Sequence, residues 1–588
     1  MMSEHNKRLT ALRAKLLEAG LDGYLIPTSD EYLGEYVPPC GERLAWISGF
    51  TGSAGMAVVL TERAAVFSDG RYTLQLAQQT DGTLWERLHS IENPPEAWLQ
   101  EVAPGKKIGF DPWLFSADGI ARFKGVEMVP LSPNLIDGIW ADRPAPPLAQ
   151  AVPHPEEFAG ETAAAKRARL GAELQKAGHD AAILSDGASL AWLFNIRGSD
   201  LEFCPFALGY ALLHQDGKAH LFMAPEKLSA ATRAHLGPDV TIAAPAELPA
   251  MLASLKGKTV RYDPATMPVW FETALEQAGA VIAKGVDPVA LPRACKNSTE
   301  QDGARAAHLR DGVAMVEFLT WLHEAAPTGR ETEISVAEHL LACRAKQNLF
   351  KGESFAAISG AGEDGAIIHY RATPETNRGL KANEVYLIDS GGQYLDGTTD
   401  ITRTIWTGPA PAPADIKDHV TRVLAGHIAL ADAVFPVGIV GANLDALARQ
   451  ALWRVGLDYD HGTGHGVGSY LSVHEGPVSI HRSSKPVPLA EGMILSDEPG
   501  YYLPGAYGIR LENLILVEKA AFEHSTKPFL KFETLTLVPY DRNLIEPSLL
   551  PRESRDWLNA YHVRVREALS PHLSAKALTW LQKATAPI

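Results

Sequence analysis

Cysteine is scarce in this chain: Cys40, Cys204, Cys295 and Cys343 lie far apart and form no Cys-x-x-Cys pair. A disulfide-stapled scaffold is excluded, and a structural zinc site has no thiolate framework. Long apolar runs are missing as well. No stretch reaches the roughly 18 residues that cross a bilayer. The opening MMSEHNKRLTALRAKLLEAG has no apolar secretory core and reads as an amphipathic helix. A cytoplasmic protein with no membrane partner is expected. Basic excess is absent too. With a net charge of −16, the chain offers phosphate backbones no matching surface, so nucleic acid is not an expected partner. Such acidity serves solubility and also fits carboxylates gathered around cations; composition does not separate the two.

What remains is ordinary for a folded protein, 46% hydrophobic and 21% charged residues. At 588 residues the chain is too long for one core and should form several domains. Two segments echo each other. A helical pattern over residues 8–26 runs into GLDGYLI, and another over 162–184 runs into GHDAAIL. Downstream, LAWISGFTGSAG (44–55) is answered by LAWLFNIRGSD (190–200), each followed by an apolar strand-like stretch, MAVVL and FALGYALL. A helix feeding a strand, met twice, predicts two related α/β domains in tandem. The proline-rich RPAPPLAQAVPHP (143–155) fits a linker between them. A second boundary falls near 291–302, where Ser298 and Gln301 have capping-box spacing ahead of a helical period through Leu322. The tail carries FETLTLVPY and then a helix-like stretch, and should pack on the domain before it. The expected divisions are 1–150, 151–295, 296–520 and 521–588.

The third division holds the chemistry. In EVYLIDSGGQYLDGTTDITRTIW (384–406), Asp389 ends an apolar run, a Gly-Gly turn follows, and Asp400 opens a second β-rich stretch. Two strands joined tightly would bring the aspartates to neighbouring positions, where buried charge needs a partner or a metal. Aspartate also serves as a turn or cap residue, and this pair alone does not decide. HGTGHGVGSYLSVHEGP (461–477) interleaves histidines with glycines, which favours ligand binding, because glycine admits close approach and neutral imidazole ligates metals. In MILSDEPGYY (493–502), Glu498 follows an apolar run. GIRLENLILV (508–517) reads as one strand, with Arg510, Glu512, Leu514 and Leu516 on one face. A buried Glu512 there needs a cation, Arg510 being one candidate; a surface Arg–Glu pair is the plain alternative.

Taken together, the motifs LIDSGGQYLDGTTDITRT, HGTGHGVG, SDEPGYY and IRLENL resemble those of the pita-bread metallopeptidases, the family of methionine aminopeptidase, prolidase and aminopeptidase P. The likeness implies an α/β and α+β chain: two tandem creatinase-N-like domains, a pita-bread catalytic domain and a C-terminal extension. It implies two divalent metals held by Asp389, Asp400, His465, Glu498 and Glu512, with Asp400 and Glu512 bridging both. Four carboxylates and one neutral imidazole carry a charge of about −4, which balances two such ions. Oxygen-rich ligation suits Mn²⁺, with Co²⁺, Fe²⁺ or Zn²⁺ as alternatives. By the same resemblance a hydroxide held between the ions attacks the carbonyl before proline. Glu498 then moves the proton, His369, His461 and His474 contact substrate and handle protons, and Arg510 orients Glu512. Two front domains with SGFTGSAG, SDGRY and NIRGSD match the three-domain aminopeptidase P branch. That branch implies peptide substrates with an N-terminal Xaa-Pro and a homodimer, with Arg71 near the partner's site. Prolidase, cleaving only dipeptides, is the rival enzyme, and a ligand-less peptide- or histone-binding module of the same fold is the rival of another class.

Overall fold

In the computed structural model, which describes residues 3–588, the chain divides into two compact units. One holds the residues up to Glu156 with Glu161–Ala290, and the other Glu157–Gly160 with Leu291–Ile588.

The first unit contains two six-stranded sheets. One is ordered Glu86–His89, Ala64–Ser68, Met56–Leu60, Gly23–Pro27, Lys107–Phe110, Glu127–Pro130. The other is ordered Val240–Ala243, Ala219–Phe222, Tyr210–His214, Ala181–Leu184, Thr259–Tyr262, Val281–Lys284. In both, the three earliest of these strands pair antiparallel, and every remaining pairing is parallel. Order and direction match strand for strand, so the echo in the sequence is a duplicated α/β domain. The two LAW triplets fall at equivalent points, on the short helices Arg43–Ser48 and Gly187–Leu193.

Alternation explains why these strands are apolar throughout. Tyr24 and Ile26 meet Leu9, Leu12 and Leu16 of helix Glu4–Glu18 on one face, while Leu25 meets Trp98 and Leu99 on the other. Both faces are covered, so no polar residue is required between the apolar ones. Of the expected linker 143–155, residues 143–150 have no regular structure, while Val152–Pro153 pair with Ile196–Arg197 of the second α/β domain. All four cysteines are free thiols.

The second unit opens with helix Ser298–Ala325. Its cap lies one residue before the expected one: Asn297 accepts the Glu300 amide and Glu300 returns the bond, placing Ser298 in the first turn. A three-stranded sheet, Ile358–Ala361, Val385–Ser390 and Ile401–Trp406, carries Asp389, with Asp400 just ahead of its last strand. A six-stranded sheet follows in the order Val434–Pro436, Phe529–Thr534, Asn513–Ala520, Ile494–Asp497, Gly464–Gly466, Glu475–Ile480. The tail is woven into this unit. Phe529–Thr534 is an inner strand of the second sheet, and helices Arg552–Leu569 and Ala575–Ala584 bury Leu558, Val565, Leu569 and Leu581 in one core with Val420, Val423 and Leu424.

Two local expectations are corrected. The link between Asp389 and Asp400 is not a simple tight turn: the chain first makes a small hairpin, Gly392–Tyr394 with Gly397–Thr398, which pairs with Phe350–Glu353. Nor is 508–517 one strand. Tyr507–Arg510 belongs to a separate two-stranded ribbon with Gly500–Leu503, and the main strand begins at Asn513, leaving Leu511 and Glu512 in the break.

Candidate metal centre

Backbone pairing draws the candidate residues together. Asp389 stands opposite Thr402 in the three-stranded sheet, and Asp400 immediately precedes that strand. Across the gap, the Glu512 amide donates to the Thr402 carbonyl at 3.1 Å and the Glu498 amide to the Thr463 carbonyl at 2.8 Å. His465 sits on the short strand Gly464–Gly466, and its amide donates to Ser496 Oγ at 2.9 Å. A glycine is required next to it: a Cβ on Gly464 would lie 2.0 Å from the Ser496 carbonyl oxygen.

The ligand-bearing atoms of Asp400, His465 and Glu512 all lie within 4.8 Å of one another. His465 Nε2 is 3.5 Å from both Asp400 Oδ2 and Glu498 Oε1. Arg510 Nη2 donates to Asp389 Oδ2 at 2.6 Å, while Asp389 Oδ1 is buried without a hydrogen-bond partner. Burial, and then the neighbouring carboxylates, pushes the Glu512 carboxyl well above its ordinary range. Glu498 and Asp389 are raised chiefly by burial, against the pull of His465 and Arg510 respectively. Burial opposes charge on His465, but Asp400 and Glu498 outweigh it and lift the imidazole to about 9. Such a cluster is short of positive charge. Oxygen-rich donors, one imidazole and an orphaned buried carboxylate oxygen fit divalent cations.

The sequence reading missed three supporting residues. Thr402 accepts from Arg510 Nε at 3.2 Å and donates to Glu512 Oε2 at 2.7 Å, so Arg510 reaches Glu512 through a hydroxyl. Tyr502 accepts from Arg510 Nη1 at 2.7 Å and shares a hydrogen bond with His461 Nε2 at 2.9 Å. His461 Nδ1–H donates to the Gly462 carbonyl at 2.8 Å. Ser496 donates to Glu498 Oε1 at 3.1 Å. All three stand inside motifs already singled out, but hydroxyls on strands carry no signal of their own.

Of the remaining candidates, the His474 ring packs edge-on at 4.3 Å from that of His465. His369 is half-buried in the turn after Gly362–Ala366, between Ile367 and Tyr370, whose side chains cluster with Tyr502. Arg71 lies in the first unit, held at two points by Asp69 (2.9 and 2.7 Å).

Comparison with known proteins agrees with this geometry. Residues 302–519 match metallopeptidase family M24, residues 528–588 the C-terminal region of peptidase M24, and residues 8–139 and 142–300 each match the creatinase/prolidase N-terminal domain. A probable Xaa-Pro aminopeptidase P of Aspergillus fumigatus is 41% identical over 99% of this chain and 92% of its own length. Xaa-Pro aminopeptidase 2 of Sus scrofa is 39% identical over 99% and 89%. The crystal structure of X-prolyl aminopeptidase from Caenorhabditis elegans, described as a cytosolic enzyme with a di-nuclear active site, superposes with a TM-score of 0.94 at 36% identity, covering 100% of both chains. The chain belongs to metallopeptidase family M24, and its catalytic unit has that family's pita-bread fold. Its full-length likeness is to the Xaa-Pro aminopeptidases of that family. Among the described residues, no helix is long and apolar enough to cross a membrane.

Proposed function

We propose that this enzyme releases the first residue from peptides whose second residue is proline, using two divalent metals. The observation carrying this reading is the cluster of buried Asp389, Asp400 and Glu512 with half-buried His465 and Glu498, four carboxylates drawn round one imidazole with three of them forced above their ordinary pKa. Asp389, Asp400, His465, Glu498 and Glu512 would together hold the two ions. When bound, the metals supply a water of lowered pKa and polarise the scissile carbonyl. Manganese is the ion proposed, on the oxygen-rich ligation.

The protein's own groups do the rest. Glu498 carries a proton towards the leaving nitrogen. His369 and His474 contact the substrate, and His461, oriented by Tyr502, joins them in handling protons. Arg510 holds Asp389 directly and Glu512 through Thr402, as a positioning residue. An Xaa-Pro bond has no amide N–H, so the site must grip it by shape and by the carbonyl alone. Full-length likeness to named Xaa-Pro aminopeptidases supports this substrate class. The proposal extends to a cytosolic homodimer whose Arg71 approaches the partner's site, and to four domains at 1–150, 151–295, 296–520 and 521–588.

The test uses full-length protein stripped with chelator, with metals restored one at a time. An Xaa-Pro-Xaa tripeptide, an Xaa-Pro dipeptide and an Xaa-Ala tripeptide are compared. Release from the proline tripeptide, restored best by Mn²⁺, is expected. Cleavage of the dipeptide alone would make the protein a prolidase, and full activity after stripping would sink the metal reading.

A further inference from the structure

Behind the candidate ligands lies a second layer that the proposed reaction does not use. Arg403, Asp497 and Asn513, each next in sequence to Thr402, Glu498 or Glu512, are all but fully buried. Asp497 and Asn513 are a registered cross-strand pair.

A chain of hydrogen bonds runs from Arg403 through Asn513 to His427, which in turn lies against Asp497. Arg403 donates to the Glu512 carbonyl at 2.7 Å, to Asn513 Oδ1 at 2.8 Å and to the Val538 carbonyl at 2.7 Å, and its guanidinium stacks over Tyr540 at 4.4 Å. Because Asn513 Oδ1 faces the guanidinium, Nδ2 is the atom turned to Tyr540, donating to its hydroxyl at 2.7 Å. The same hydroxyl shares a hydrogen bond with His427 Nε2, 2.6 Å away. The other ring nitrogen of His427, Nδ1, lies 3.2 Å from Asp497 Oδ1. That last contact is out of line for a good hydrogen bond, and neither Asp497 oxygen has another bond, so the attraction is chiefly electrostatic. The bonded run thus extends from Arg403 to His427, and close packing carries it on to Asp497, the residue beside Glu498.

We propose that Arg403, Asn513, Tyr540 and His427 form a positioning relay that holds Glu498 and Glu512 in metal-ligating geometry. The central hydroxyl comes from Tyr540, in the segment matching the family's C-terminal region, so that region is a working part of the metal centre. Groups that hydrogen-bond a metal ligand typically cost 10–100-fold in metal affinity when altered, and the relay acts through Arg403 on the Glu512 carbonyl. The inference rests on the two-metal reading above.

Metal-free full-length protein is titrated calorimetrically with Mn²⁺, and separately with Co²⁺ while recording its visible absorption. Tyr540→Phe deletes one hydroxyl and keeps the ring; His427→Gln breaks the relay at the next link. Tyr386→Phe, whose buried hydroxyl bonds Ser359 Oγ at 2.7 Å, measures the ordinary cost of losing such a group. Tyr540→Phe and His427→Gln should each bind Mn²⁺ at least about tenfold more weakly and alter the Co²⁺ spectrum, while Tyr386→Phe binds as the parent does. Parent-like affinity and spectrum in both relay variants would overturn the relay, and so would equal weakening in Tyr386→Phe. If Tyr540→Phe does not fold, His427→Gln against the control decides. A parent protein that binds no metal would instead refute the reading beneath it.

Discussion

Arg510 reaches Asp389, Tyr502 and Thr402 at once, and is itself almost wholly buried. Removing one partner of a buried ion pair leaves the other charge stranded, at a cost of about 3–5 kcal/mol. Arg510→Met should lower the stability of the metal-free catalytic unit by that order in urea unfolding. Saturating Mn²⁺ should return part of the loss, because the ions give Asp389 a new cation. Asp400→Ala should behave in the opposite way. It removes one member of a crowd of carboxylates, so metal-free protein should melt no lower than the parent, while turnover falls by at least about 100-fold, the upper range for merely supporting groups. The candidate residues stood out because a carboxylate ending an apolar run, or a histidine among glycines, has little reason to be there for packing, and the family resemblance joined them into one set. Tyr502 and Thr402 did not, since such residues suit any strand and the partners that give them a role lie far off in sequence.

At the scale of elements, the strand carrying Gly464 runs against the strand carrying Ser496 with no room for a side chain. Gly464→Ala would force the backbones apart beside His465, costing about 1–3 kcal/mol or more. Calorimetric titration should show weakened metal binding along with the lower melting point. Helix Arg552–Leu569 introduces an acid-sensitive joint through His562, whose Nε2 accepts the Tyr540 amide at 3.3 Å. Burial first, then Arg403, Arg542 and Arg566, depresses this imidazole to about 3; the rings of Tyr540 and Tyr561 complete its surroundings. Unfolded, it titrates near 6.5. Between those values the unfolded chain binds the extra proton, so stability is whole above about pH 6.5 and drains as pH falls, by about 2 kcal/mol at pH 5. His562→Gln should flatten the acid limb of a stability profile; an unchanged slope would assign the acid sensitivity elsewhere. The helices were legible from their period, yet the break at Leu511–Glu512 was not. Apolar alternation continues straight through it, because the ribbon before and the sheet after are both buried.

For the whole molecule, the metal centre is confined to one of two separately cored units. Scanning calorimetry should therefore resolve a metal-dependent and a metal-independent transition. Free metal at 100 times its Kd should stabilise the former by about 2.7 kcal/mol, and the latter should not move on chelation. The duplication was visible in outline because each copy repeats a helix feeding a strand and a LAW triplet at matching places. The weaving of the tail into the catalytic sheet was not visible, since a strand does not announce its neighbours.

The hairpin between Asp389 and Asp400 gives that stretch a fixed span. It is clamped on both sides: Phe350–Glu353 pairs along it, and Asp396 is gripped by Arg310, with its carbonyl pressed so near Gly303 that a Cβ there would come within 2.3 Å. Surface loops usually absorb an added residue with little trouble, but this one works as a caliper whose arms end in the two carboxylates. Lengthening it would open the jaws, and the gauge would no longer fit a pair of ions.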